Sequence, residues 1–177
     1  MKFISLPLLL LGLLIPAHAN LSASFTSSGK STTKQVAVPA LFVGEGESPA
    51  AGLPAGPFHA SYTGKLTIPK RFRVSFSVES EGEVQLKINE EEISLTEGKS
   101  DRIRLNPGEI PIEITFTSPS SGAGYFRLYW EERREFPREP IPASVFTSLD
   151  DAPIDGAHLF ADHNCIQCHK GKLGSSA

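Results

Sequence analysis

Cysteine, methionine and tryptophan are scarce in this 177-residue sequence, which has two Cys, one Met and one Trp. The one methionine is Met1, so a chain processed at its N-terminus has no methionine to offer a metal. Long apolar runs are also lacking. Nothing after residue 15 approaches the ~20 apolar residues that a membrane-spanning helix needs. Charge of one sign is missing too. A formal net charge of −3 with 21% charged residues is too balanced to track phosphates and too small for disorder, which excludes nucleic acid as a partner. No Ser-His-Asp order, carboxylate pair or useful internal repeat is present, so the sequence offers no hydrolytic site.

What is present begins with an export signal. "MKFISLPLLLLGLLIPAHAN" places Lys2 before an apolar run over residues 6–15 and ends on the small-x-small pattern Ala17-His18-Ala19. This reads as a signal peptide, residues 1–19, cleaved after Ala19. Pro7 and Pro16 bracket a run far too short for an anchor. The expected location is periplasmic or secreted, with no membrane span after signal removal.

Residues 20–35 are dominated by Ser and Thr and are expected to form a flexible lead-in. "SPAAGLPAGPFHASYTG" reads as loop. Alternation then becomes regular. "RFRVSFSV" sets Phe72, Val74, Phe76 and Val78 against Arg71, Arg73, Ser75 and Ser77, and "EVQLKIN" repeats the pattern. Separated only by "ESEG", these two runs suggest an antiparallel hairpin. "EISL", "RIRL", "IPIEITFT" and "YFRLYWE" supply further strands, the last with Phe126, Leu128 and Trp130 on one face. Period-2 patterning without helical stretches gives a mainly β class, an antiparallel β-sandwich over residues 36–132. The proline-rich residues 133–153 read as a stiff linker.

The two cysteines stand three apart with a histidine directly after, in "HNCIQCHKG", residues 163–171. Chance produces this arrangement on the order of 3 times in 10,000 for such a composition. C-x-x-C-H is the attachment signature of c-type haem: two thiols add to the vinyl groups and the histidine reaches the iron. A structural zinc site would have to crowd His163 or His158 in with Cys165, Cys168 and His169, because no second ligand pair exists elsewhere. A redox dithiol would sit in a βαβ unit, which the pattern lacks. Haem c, covalently bound, is the expected cofactor.

The wider stretch "GAHLFADHNCIQCHKG" resembles the opening of class I cytochrome c domains. That resemblance implies Cys165 and Cys168 as thioether residues and His169 as the proximal, axial ligand of the haem iron. The function it implies is electron transfer with redox partner proteins. The chain would be an electron carrier, or part of a larger exported oxidoreductase, with no enzymatic site of its own. Only eight residues follow His169. Residues 154–177 are therefore expected to be the truncated start of a cytochrome c domain, a short helical stub.

Residues 58–142 resemble the protective-antigen-type (PA-fourteen) β-sandwich family. The likeness rests on "FHASYTGKLTIP", on "FRVSFSVESEGEVQLKINEEEI" and on "SDRIRLNPGEIPIEITFTSPSSGAGYFRLYWE". It implies a recognition or spacer domain, with carbohydrate as a candidate ligand. Some members hold calcium on adjacent aspartates in a strand-connecting loop. The corresponding "ESEGE" offers Glu79, Glu81 and Glu83 and no aspartate pair, which reads as a solvated edge. Tyr129 and Trp130 could stack on a sugar, although Trp at such a position is more often core. The alternative to an electron carrier is thus a secreted carbohydrate- or protein-binding β module with a vestigial haem motif.

Overall fold

The structure, a computed structural model, describes residues 21–146. The expected signal peptide, and the stretch 154–177 with Cys165, Cys168 and His169, lie outside the described residues. Eleven strands and one 3-10 turn follow in order. They are β1 (Leu21–Ser27), β2 (Lys30–Val36), β3 (Ala40–Val43), β4 (Phe58–Ile68), β5 (Phe72–Glu81) and β6 (Glu83–Ile88). Then come β7 (Glu91–Ile93), β8 (Ile103–Leu105), β9 (Gly108–Thr117), β10 (Gly124–Glu132), β11 (Phe136–Pro140) and the turn Ala143–Phe146. Among the described residues no helix is long and apolar enough to cross a membrane.

Two antiparallel sheets face one another. The first has the order β2-β1-β4-β9-β6-β7, and the second β11-β10-β5-β8, with β3 also paired to β10. β3 takes the first half of one edge of β10, from Gly124 to Arg127, and β11 takes the second half from Tyr129. The inner faces meet through aromatic rings. Tyr62 of the first sheet stands edge-on to Phe126 of the second at 5.1 Å, and Phe116 stacks on Phe126 at 5.4 Å. Burial pushes the Tyr62 phenol well above its ordinary pKa, so it stays neutral; its hydroxyl donates to the Ala40 carbonyl at 3.4 Å.

The mainly β, antiparallel class is what the alternation demanded, but several boundaries differ. The expected lead-in is the hairpin β1–β2. Leu21, Ala23 and Phe25 are fully buried, and β1 pairs with β4 along its whole length. The turn explains the hairpin: Ser28 and Gly29 both have positive φ, 49° and 75°, the backbone of a two-residue turn that matches strand twist. The stretch read as loop contains β4, whose inward positions Phe58, Ala60, Tyr62, Leu66 and Ile68 are all buried. The expected linker supplies β11 and the 3-10 turn, whose Phe146 is fully buried. The sandwich therefore spans residues 21–146, not 36–132.

The expected β5–β6 hairpin does not form. β5 pairs with β10 and β8, whereas β6 pairs with β9 and β7 in the opposite sheet. The chain crosses between sheets at Gly82, where φ is 129° and a Cβ would lie 2.5 Å from the Thr117 carbonyl oxygen and 2.6 Å from the Phe116 ring. Only glycine fits such a corner.

Candidate functional site

Alternation places every second residue of the first sheet on its outer face, and four neighbouring strands bring polar side chains into rows there. Thr26 lies opposite His59, His59 opposite Thr117, and Thr117 opposite Glu83. One step along the strands, Ser24, Ser61, Thr115 and Gln85 form a second row. These eight side chains line a cavity of about 300 Å³ across β1, β4, β9 and β6. Its floor includes Ala60 and Phe116.

The lining is already organised. His59 Nδ1 and Thr117 Oγ1 share a hydrogen bond of 3.0 Å, and Gln85 Nε2 donates to Glu83 Oε1 at 3.4 Å. On the far side Thr33 Oγ1 donates to Ser24 Oγ at 3.3 Å, and the hydroxyls of Thr26 and Ser31 lie 2.8 Å apart. Hydroxyls, an amide, an imidazole and a carboxylate give both donors and acceptors on a short-range grid. Such a surface can hold a small polyhydroxylated ligand. Glu83 is the only carboxylate in the lining, whereas acid-base cleavage of a glycosidic bond commonly employs two.

The residues singled out from the sequence fall in separate places. Trp130 points inward, 4.9 Å from Phe136 and 6.5 Å from Phe72, and its Nε1 donates to Glu139 at 3.3 Å. Tyr129 points outward but is covered by the Arg138 guanidinium, 3.7 Å from its ring centre. Neither ring is free to stack on a sugar. Glu79, Glu81 and Glu83 diverge, because Glu79 lies on the outer face of the second sheet while Glu83 lies in the cavity of the first. Among the described residues no His, Cys, Asp and Glu group gathers to hold a metal ion. His59 belongs to the cavity. The sequence alone does not mark it, nor Ser24 and Thr26, because polar and small-residue composition masks the strands that carry them.

Glu79 ties β11 to the sheet. Its carboxylate accepts from Arg138 at 2.7 Å and from the Tyr129 hydroxyl at 2.9 Å. The Arg138 hydrogen bond first, and then the Tyr129 hydroxyl, hold this carboxyl below its ordinary value of 4.5. A carboxyl whose folded pKa is lowered stabilises fully above its unfolded value, and that contribution is lost as pH falls through the folded one. Glu79→Gln should therefore lower the thermal midpoint by a few degrees at pH 7. The gap to the parent should close as pH drops below 4.5 and past the lowered value. A gap independent of pH would contradict this assignment, as read by melting curves across the acid range.

No family model matches the sequence, and no curated protein matches it. Solved structures do match in fold. An anti-sigma factor domain-containing protein from Clostridium clariflavum aligns with TM-score 0.63 and 18% identity over 78% of this chain and 49% of that one. The epithelial adhesin 6 A domain of Candida glabrata, solved in complex with Galβ1-3GlcNAc, gives 0.57 and 11% over 77% of this chain and 89% of that one. The PA14 domain of an antifreeze protein gives 0.52 and 10% over 77% and 94%. The chain spans about half the length of the anti-sigma factor proteins that it matches. At these identities the likeness fixes the fold alone, and that fold is a PA14-like β-sandwich.

Proposed function

We propose that the chain is an exported recognition module whose sandwich holds a carbohydrate in the cavity across β1, β4, β9 and β6. The observation that carries this reading is the pair of polar rows around that cavity. Each row crosses four strands spaced ~4.8 Å apart, about the length of one sugar ring. Sugar hydroxyls both donate and accept, and the serine, threonine, histidine, glutamine and glutamate side chains there offer both roles. The solved likeness to an adhesin domain in complex with Galβ1-3GlcNAc supports the same class of ligand. Binding on a glycan array, followed by calorimetry, tests it. Thr117→Val and Ser61→Ala should each weaken the selected glycan by about tenfold, the loss of roughly one hydrogen bond. Unchanged affinity in both variants would overturn the placement, and no glycan bound at all would overturn the function.

The sequence favours a second component of the same reading. In Cys165-x-x-Cys168-His169 two thiols and an imidazole form the donor set for a covalently held haem c, with His169 on the iron. Bound haem would supply one-electron transfer toward a redox partner protein. Cys165 and Cys168 would fix the porphyrin, and His169 would set the iron's proximal side. Expression with haem-maturation machinery should leave haem on the denatured chain, and C165A/C168A should abolish it. A parent chain free of covalent haem would reduce the motif to a remnant and leave the recognition module standing alone.

A further inference from the structure

The outer face of the second sheet has its own chemistry, unrelated to the cavity on the first. Arg73 of β5 stands directly opposite Arg104 of β8, a like-charged cross-strand pair that costs stability. Arg102 lies two residues before Arg104. It shares a concavity of about 660 Å³ with Arg133, Arg134 and Arg138, above Phe136 at the β10–β11 turn. Arginines gathered like this are normally relieved by carboxylates, and carboxylates are close by. Four of them, Glu79, Glu131, Glu132 and Glu135, are already engaged.

Glu131 binds Lys99 at 2.5 Å, and Glu135 binds Lys70 at 2.8 Å. Glu132 accepts from its own turn, from the backbone N–H of Arg134 at 2.7 Å and of Glu135 at 2.9 Å. Glu79 holds Arg138. Among the described residues Arg73, Arg102, Arg104, Arg133 and Arg134 therefore face solvent without an ion pair, in a chain whose total charge is −3. Lysines satisfy Glu131 and Glu135, Glu132 is taken up by its own turn, and these five arginines are left over. A guanidinium is the side chain suited to gripping a carboxylate or sulfate through two parallel hydrogen bonds.

We propose that this face, from the Arg73–Arg104 pair to the β10–β11 turn, binds an acidic polysaccharide bearing carboxylate or sulfate groups. Arg102, just before β8, lies ~7 Å along the chain from Arg104, and Arg73 lies ~5 Å across on β5, so successive charged groups of an extended chain meet successive forks. A membrane surface fits less well. The one large exposed hydrophobic side chain among the described residues, Phe42, pairs with Tyr125 at the other end of β10, about 20 Å from Glu131. Duplex DNA carries a phosphate charge every ~1.7 Å, far closer than the ~5–7 Å spacing of these arginines.

The test uses the full chain, with polygalacturonate and heparin as acidic probes and dextran as a neutral one. The parent should bind an acidic probe with an affinity that falls as salt rises. Arg73→Ser/Arg104→Ser and Arg102→Ser/Arg133→Ser should each weaken it at least tenfold. Lys30→Ser/Lys34→Ser, the same charge change on the distant strand β2, should leave it unaltered. The Arg73/Arg104 variant should melt no lower than the parent, because a repulsion has been removed. Equal loss in the β2 variant, dextran binding that the arginine variants weaken as much as polygalacturonate binding, or tighter binding to duplex DNA or phosphatidylglycerol vesicles would each overturn the proposal.

Discussion

A fragment beginning at residue 37 should fail to fold cooperatively, whereas residues 21–146 should melt as one unit. The missing hairpin carries Leu21, Ala23 and Phe25, all with no exposed surface, into the core beneath β4. Burying the leucine and the phenylalanine contributes about 1.5–3 kcal/mol each, before the seven-residue ladder to β4 is counted. Domains of this size are stable by only about 5–15 kcal/mol in total. Loss of β1 would also bare the edge of β4, a long strand with an apolar inner face and thus a template for aggregation. In the intact chain that duty falls to β2, an exposed edge guarded by Lys30 and Lys34. Urea titration followed by circular dichroism decides the matter. A cooperative transition in the 37–146 fragment, at the midpoint of the 21–146 fragment, would show that the hairpin is an accessory.

The second large effect is expected at Phe126. Its ring is 1% exposed and lies against Tyr62 and Phe116, at the point where the two sheets meet. Phe126→Ala removes most of a ring from a closed environment, and the strands around it are held by ladders on both sides. Collapse into the cavity is therefore limited, and the cost should be about 3–5 kcal/mol, or a fall of roughly 10–20 °C in Tm. Phe42→Ala provides the contrast. That side chain is 66% exposed, so its removal should change stability by less than about 0.5 kcal/mol. Similar losses for the two variants would mean that the sheets do not meet through these rings.

These two sites also mark what could be read from the sequence. β9 and β10 were legible because strong apolar residues alternate without interruption; Ile112, Ile114, Phe116, Phe126, Leu128 and Trp130 are all buried. β1 was not, because its alternation is carried by Leu21, Ala23 and Phe25 among serines and threonines whose composition suggests a loop. β4 was hidden by Ala60 and Gly64 at inward positions, which carry too little apolar side chain to mark the alternation. Pairing was harder still. Nothing in "ESEG" distinguishes a turn within one sheet from a corner between two; the difference lies in how closely the Thr117 carbonyl and the Phe116 ring approach Gly82. The cavity residues inherit the same difficulty. Ser24, Thr26, His59 and Ser61 come from the two unread strands, so their meeting with Thr115, Thr117, Glu83 and Gln85 has no local signature.

The shared edge of β10 bears on how the protein is made. β3 and β11 abut along that edge, with the Leu128 N–H reaching the Pro39 carbonyl and the Leu128 carbonyl receiving the Ile141 N–H. One strand near the end of the domain is thus closed by a segment from its beginning and by its last strand. Contacts of such sequence separation form late and slowly. While the chain is being synthesised, the second sheet cannot close until residue 141 has emerged, and by then nearly all of the domain is outside the ribosome. The first sheet needs nothing beyond Thr117, so the second sheet is the part of the domain that waits for the end of its synthesis.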